Sequence, residues 1–131
     1  MTNVARRVIV VAGMHRAGTS VVARGLMALG VDLGDALMSA DVKMNARGFF
    51  EDMDIVARDD ALLDGQGADW KSLALLDGVD WDAAAHAGAR SAARHLLEGK
   101  LARTGQYGFK DPRVPRLLPF WQRVLAEMQV A

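Results

Sequence analysis

The segment Gly13-Met14-His15-Arg16-Ala17-Gly18-Thr19-Ser20 holds the residue types needed to grip an anion. Gly13 permits a tight turn, and Gly18 lets the backbone approach a charged oxygen closely. Thr19 and Ser20 offer hydroxyls and open an apolar segment of helical spacing. A helix N-terminus presents unpaired N–H groups and the positive end of its dipole, and both favour phosphate. Arg16 adds a cation whose forked donors match phosphate oxygens. His15 and Ala17 lie inside the same loop. His15 could act as a base, since its unperturbed pKa is near neutrality, but its position favours shaping the loop. The alternatives are plain: Ser and Thr are ordinary helix caps, and Arg16 could be a surface arginine.

The spacing matches the phosphate loop G-x-x-x-x-G-K-S/T with one departure: Thr19 stands where lysine is expected. The cation sits inside the loop instead, at Arg16. That points away from ATP or GTP hydrolysis and toward another phosphate-bearing donor.

Three further residues could do chemistry. Lys110 falls at the end of a predicted strand, where ligands bind in an open α/β sheet. Glu51 is a candidate general base, or merely a first-turn residue beside the helix cap Asp52. Arg113 could reach phosphate or acceptor, or equally pair with Asp111 or the acidic middle of the chain. Phe49 and Phe50 could line an acceptor pocket, as could Trp70, although aromatics are more often core. His86 and His95 are too far apart on one helix to share a metal, and both are expected at the surface.

The elements that must position these residues can be read from periodicity. Residues 7–12 are a β-branched strand. Residues 20–29 have helical spacing, with Val21, Val22, Leu26 and Leu29 as the apolar face and Gly30 as the stop. Residues 31–48 are turn-rich and read as a surface excursion. A helix is predicted over 52–63, with Ile55, Val56, Leu62 and Leu63 inward and Gly65 and Gly67 beyond it. Residues 68–81 are ambiguous, with Trp70, Leu73, Leu75 and Leu76 expected inside. Asp82 could cap an alanine-rich helix to about Arg103. Residues 107–110 form a short strand, and 115–128 a helix with Pro119 near its first turn, where proline is tolerated.

The expected fold is therefore α/β: a P-loop-type three-layer α/β/α arrangement with a parallel sheet, helix-rich and incomplete. Only two strands are clear, whereas such sheets usually hold more. The chain reads as a single partial domain, residues 1–131, the N-terminal portion of a longer protein.

Composition narrows the classes. Half of the 131 residues are hydrophobic, enough for a core, and no run approaches a membrane span. No signal-peptide pattern precedes the first strand. There is no cysteine, which excludes disulfides, thiolate metal sites and cysteine nucleophiles, and fits a cytoplasmic setting. The net charge is zero but unevenly spread: residues 1–31 carry +4, residues 32–82 carry −9 and residues 83–131 carry +5. The basic ends hold the anion-binding candidates. Neither is basic enough for nucleic acid.

Four segments together give a resemblance. Gly13 to Ser20 looks like the 5′-phosphosulfate loop of sulfotransferases. Asn45-Ala46-Arg47-Gly48-Phe49-Phe50-Glu51 resembles the N-P-R-G-Y/F-F/W-E segment of the bacterial sulfotransferase-like family, with Ala46 for the usual proline. Lys110-Asp111-Pro112-Arg113, followed by Arg116-Leu117-Leu118-Pro119-Phe120-Trp121, is similar to that family's K-D-P-R and L-L-P-x-W. Leu29-Gly30-Val31-Asp32-Leu33-Gly34 matches its L-G-V-x-L-G turn. Order and spacing agree over nearly the whole chain.

The resemblance implies a 3′-phosphoadenosine 5′-phosphosulfate donor held by Gly13, His15, Arg16, Ala17, Gly18, Thr19 and Ser20. It implies a lysine, here Lys110, near the transferred group. The acceptor would be a small molecule, carbohydrate or peptide, with no nucleic acid and no membrane involved. The family's loop position 16 is often lysine; arginine almost never gives up a proton, so Arg16 would act as an electrostatic stabiliser. No metal is expected, because arginine and lysine can neutralise the donor. The arginine and serine that bind the donor's 3′-phosphate have no copy here and would lie beyond Ala131, so the fragment could be inactive. Two other classes stay open: a P-loop small-molecule kinase or nucleotide triphosphatase, and a non-catalytic module that binds an anion or a protein.

Overall fold

The computed structural model describes residues 6–13, 18–34, 37, 51–68, 76 and 78–130. Within them lie two strands and four α-helices: β1 (Arg7–Val11), α1 (Thr19–Ala28), α2 (Met53–Gly65), α3 (Ala87–Thr104), β2 (Gln106–Lys110) and α4 (Val114–Met128). A single 3-10 turn, Ala84–His86, leads into α3. The fold is mixed α/β and helix-rich, with a small parallel sheet.

β1 and β2 pair in register from Arg7 opposite Gln106 to Val11 opposite Lys110. Parallel strands need a long crossover, and here it carries α1, α2 and α3. The other edge of β2 is not bare. Asp32 bridges Tyr107 in parallel, with Asp32 N donating to Gln106 O at 3.3 Å and Gly108 N to Asp32 O at 2.8 Å. Val31 and Leu33 are buried. The expected surface excursion thus begins as an extended edge, because the backbone there can satisfy its polar groups on β2.

Strand side chains alternate between faces, and two apolar clusters result. Val8, Val10, Tyr107 and Phe109 join Ile55, Leu63, Leu97, Leu117 and Trp121 in the main core, supplied by α2, α3 and α4. Ile9 instead joins Ala23, Leu26, Val31 and Leu33. A Cβ on Gly108 would lie 3.0 Å from Val31 Cγ1, so glycine keeps this side closely packed.

The helices expected at 52–63 and 115–128 are present. Ile55, Val56, Leu62 and Leu63 are all buried, as their spacing predicts. Three details differ. On α1 the buried residue is Ala23, with Leu26 half-buried, while Val21 and Val22 are 74% and 52% exposed, and Leu29, just past the helix end, is 81% exposed. Two overlapping stripes share this helix, and the narrower one with the small Ala23 allows close approach to the sheet. Secondly, α3 starts at Ala87 rather than after Asp82. Trp81 is buried against Phe120, with ring centroids 5.6 Å apart, and packs at a tilt against half-buried His86. That anchor holds 81–86 out of the helix, and Asp82 pairs with Arg123 at 2.7 Å. Thirdly, Pro119 sits in the second turn of α4, on its exposed side, where the lost N–H bond is cheapest. Leu76 packs against the main core; Trp70, Leu73 and Leu75 lie outside the described residues.

Candidate functional site

The site is assembled at the carboxyl end of β2. Tyr107 and Phe109 anchor the strand in the core, and Lys110 emerges from its end while still buried. A buried ammonium is costly unless paired. Its partner is Glu51: Lys110 Nζ donates to Glu51 Oε1 at 2.9 Å, and the two residues are 5% and 4% exposed.

Asp52 explains why Glu51 arrives there. It caps α2 by accepting Asp54 N at 3.0 Å on Oδ1. Its Oδ2 accepts the Tyr107 hydroxyl at 2.7 Å and lies 3.1 Å from Lys100 Nζ. One carboxylate thus ties the start of α2 to both β2 and α3. Burial, together with the Asp52 carboxylate, pushes the Tyr107 hydroxyl far above the usual tyrosine range, so it stays a donor. Gly34 closes over the same carboxylate; any Cβ there would fall on Asp52 Oδ2.

Burial raises the Glu51 carboxyl above its ordinary value, and the hydrogen bond and charge of Lys110 hold that rise in check. Glu51 Oε2 is buried and has no hydrogen-bond partner. A desolvated carboxylate with one oxygen held by lysine and the other lacking a donor can accept a proton from a hydroxyl or amine.

Arg113 follows in the turn before α4. It donates to Asp111 Oδ1 from Nη1 and to Asp60 Oδ1 from Nε, both at 2.6 Å. Burial works against its charge, but Asp111 and Asp60 outweigh burial and raise its pKa. Of the two sequence-based readings, the pairing with Asp111 and an acid from the middle of the chain is the one observed. Beneath it, Asp59 accepts Trp121 Nε1–H at 2.7 Å.

The register places Lys110 beside Val11, two residues before Gly13. The mouth of the glycine loop and the Lys110–Glu51 pair therefore share the carboxyl edge of the sheet. Gly18 is the residue before α1, with φ 81°, a left-handed conformation suited to glycine. Its carbonyl accepts Val21 N at 3.2 Å and Val22 N at 3.4 Å. No side chain caps α1, and Thr19 and Ser20 occupy its first two positions. His15, Arg16, Ala17, Phe49 and Phe50 lie outside the described residues.

Sequence reasoning missed Asp59, Asp60, Lys100 and Tyr107. Asp59 carried a signal: it falls four residues after Ile55 and three before Leu62, inside the apolar stripe of α2. An acid on that stripe is buried and must find partners. Lys100, Asp60 and Tyr107 carried none, since their partners are distant in sequence.

A cleft of about 350 Å³ lies at the other end of α1, lined by Met27, Gly30, Leu33, Gly34 and Leu37 among others. Among the described residues no cluster of three or more His, Asp or Glu is placed to hold a metal. None of their helices is long and apolar enough to cross a membrane. Comparison with protein-family models, curated proteins and solved structures finds no match for the chain.

Proposed function

We propose that this chain is a sulfotransferase-type domain of P-loop-like three-layer α/β/α architecture, using 3′-phosphoadenosine 5′-phosphosulfate as donor. The observation that carries the reading is the buried Lys110–Glu51 pair one strand away from the mouth of the Gly13–Ser20 loop. Apolar clusters on the two faces of the sheet support the layered architecture.

On this reading the loop residues Gly13, His15, Arg16, Ala17, Gly18, Thr19 and Ser20 hold the 5′-phosphosulfate, and Arg16 neutralises it. The acceptor O–H or N–H faces Glu51 Oε2, with Phe49 and Phe50 beside it. Its proton passes to Glu51 as the new bond to sulfur forms. The bond from sulfur to the bridging oxygen breaks, and 3′-phosphoadenosine 5′-phosphate leaves with the negative charge. Lys110 has further N–H donors for the charge that develops during transfer. Arg113 acts through Asp111, by holding the turn after β2, rather than on the donor.

Calorimetric titration with 3′-phosphoadenosine 5′-phosphate, with magnesium-ATP alongside, tests the reading. Saturable binding of the bisphosphate, abolished in Arg16→Ala and unmatched by ATP, is expected. Tighter magnesium-dependent ATP binding would replace this reading with a kinase or triphosphatase.

A further inference from the structure

We propose that the outer edge of β1 pairs with the same edge of a second copy of this chain, so that two sheets join antiparallel about a two-fold axis at Ile9. Among the described residues β1 pairs with β2 alone, whereas β2 has β1 on one side and Asp32 on the other. Burial follows that difference. Tyr107 to Lys110 are all buried, but Ile9, Val10 and Val11 are only half-buried. The composition of β1 suits a different position. Val8-Ile9-Val10-Val11 is an unbroken β-branched run, as in a parallel strand with neighbours on both sides. It holds none of the proline, lysine or bulge by which exposed edges are protected.

The edge is complementary to itself. Arg7 N donates to Gly105 O at 3.0 Å, so Arg7, Ile9 and Val11 direct their backbone groups toward β2. The N–H and C=O groups of the alternate residues, Val8 and Val10, point the other way. Centred on Ile9, an antiparallel pair sets Val8 of each copy against Val10 of the other, and each outward donor meets an acceptor. All five residues of the strand then take part. No arginine faces an arginine, because Arg7 falls opposite Val11. Charge favours the same direction. The amino end of β1 carries the exposed Arg6 and Arg7. Around the carboxyl end of the sheet, Glu51, Asp59, Asp60 and Asp111 outnumber Lys110 and Arg113 among the described residues. Antiparallel pairing sets the basic end of each copy beside the acidic end of the other. Arg7 and Val11 share the face of Ile9, which packs with Ala23 of α1. Arg7 of the second copy is thus delivered on the α1 side, beside the strand end that leads to Gly13. Each copy offers one such edge, so a two-fold pairing closes at the dimer. This inference does not depend on the proposed donor.

Light scattering over a dilution series of the full chain should give twice the chain's mass, falling to the single mass only on dilution. A chain that stays monomeric throughout would overturn the proposal and leave the edge to a different strand. The sequence has no cysteine, so one introduced thiol reports on one position. Across the two-fold axis the two Ile9 Cα atoms would stand about 4.5 Å apart, the spacing of a non-hydrogen-bonded pair and within disulfide range. Ile9→Cys should therefore oxidise to a covalent dimer, and Val21→Cys, on the exposed face of α1, should not. An Ile9→Cys protein that crosslinks no faster than Val21→Cys would overturn the pairing, and faster crosslinking through Val21→Cys would move the contact to α1. Val10→Pro removes an outward N–H and leaves the ladder to β2 intact, so the folded variant should be monomeric. A folded Val10→Pro dimer would also overturn the proposal, and the cysteine readout stands even where that variant does not fold.

Discussion

Lys110 and Glu51 are separated by 59 positions in sequence, yet they form a largely buried ion pair at 2.9 Å. Packing rather than solvent sets the strength of that pair. Breaking a buried pair on one side leaves an uncompensated charge and costs about 3–5 kcal/mol. Lys110→Met alone and Glu51→Gln alone should each destabilise the protein strongly. The double variant should lose clearly less than the sum. Urea unfolding of the four proteins measures the coupling, and additive losses would contradict the pair.

The pH dependence of Glu51 has a definite sign. Burial raises its folded pKa, so the folded chain holds this proton more tightly than the unfolded chain does. The resulting stabilisation is fully present below the ordinary glutamate pKa. It is lost as pH rises through the folded value, with a slope of at most about 1.4 kcal/mol per pH unit. Glu51→Gln should remove this contribution. Unfolding free energies from pH 4 upward for wild type and variant check it; parallel curves would refute the raised value.

Asp52 joins three elements, so Asp52→Ala should be among the most damaging single changes. It removes a helix cap, worth about 1 kcal/mol, and leaves the buried Tyr107 hydroxyl without its acceptor, at about 1–3 kcal/mol more. Gly34→Ala should damage the same place differently. Its φ of 104° disfavours any side chain, and the new Cβ would strike Asp52. Thermal melting of both variants tests this. A Gly34→Ala protein as stable as wild type would show that the close approach of Gly34 to Asp52 can relax.

Arg113 is a tie between Asp111 and Asp60, and Arg113→Lys tests that role. A single ammonium cannot reproduce the forked contact to both acids. The variant should lose about 1–3 kcal/mol of stability, while binding of 3′-phosphoadenosine 5′-phosphate by the folded fraction changes little. A selective loss of binding at full stability would instead place Arg113 on the ligand.

The two faces of α1 should respond oppositely. Val21→Asp and Leu29→Lys fall on exposed positions and should shift stability by no more than about 0.5 kcal/mol. Ala23→Leu inserts bulk where α1 meets the sheet and should cost about 1–3 kcal/mol. Chemical denaturation of the three variants distinguishes this orientation from one with Val21 and Leu29 inside.

The sequence alone determined the elements whose signals are local. A continuous apolar, β-branched run marked β1, the short segment 107–110 marked β2, the spacing of Ile55, Val56, Leu62 and Leu63 marked α2, and Asp52 was legible as its cap. Gly18 was legible as the last loop residue before a helix because its neighbours are hydroxyl residues that begin a helical period. Tertiary structure decided what periodicity leaves degenerate or cannot reach. It chose the Ala23 stripe of α1 over the Val21 stripe, and it delayed α3 until after Trp81 had docked on Phe120. It turned residues 31–33 from an expected loop into an edge of the sheet. It brought Glu51 to Lys110, Asp60 to Arg113, and Asp59 to Trp121. The reason is physical: propensity and periodicity act over a few residues, whereas a buried charge takes whichever partner the folded core places beside it.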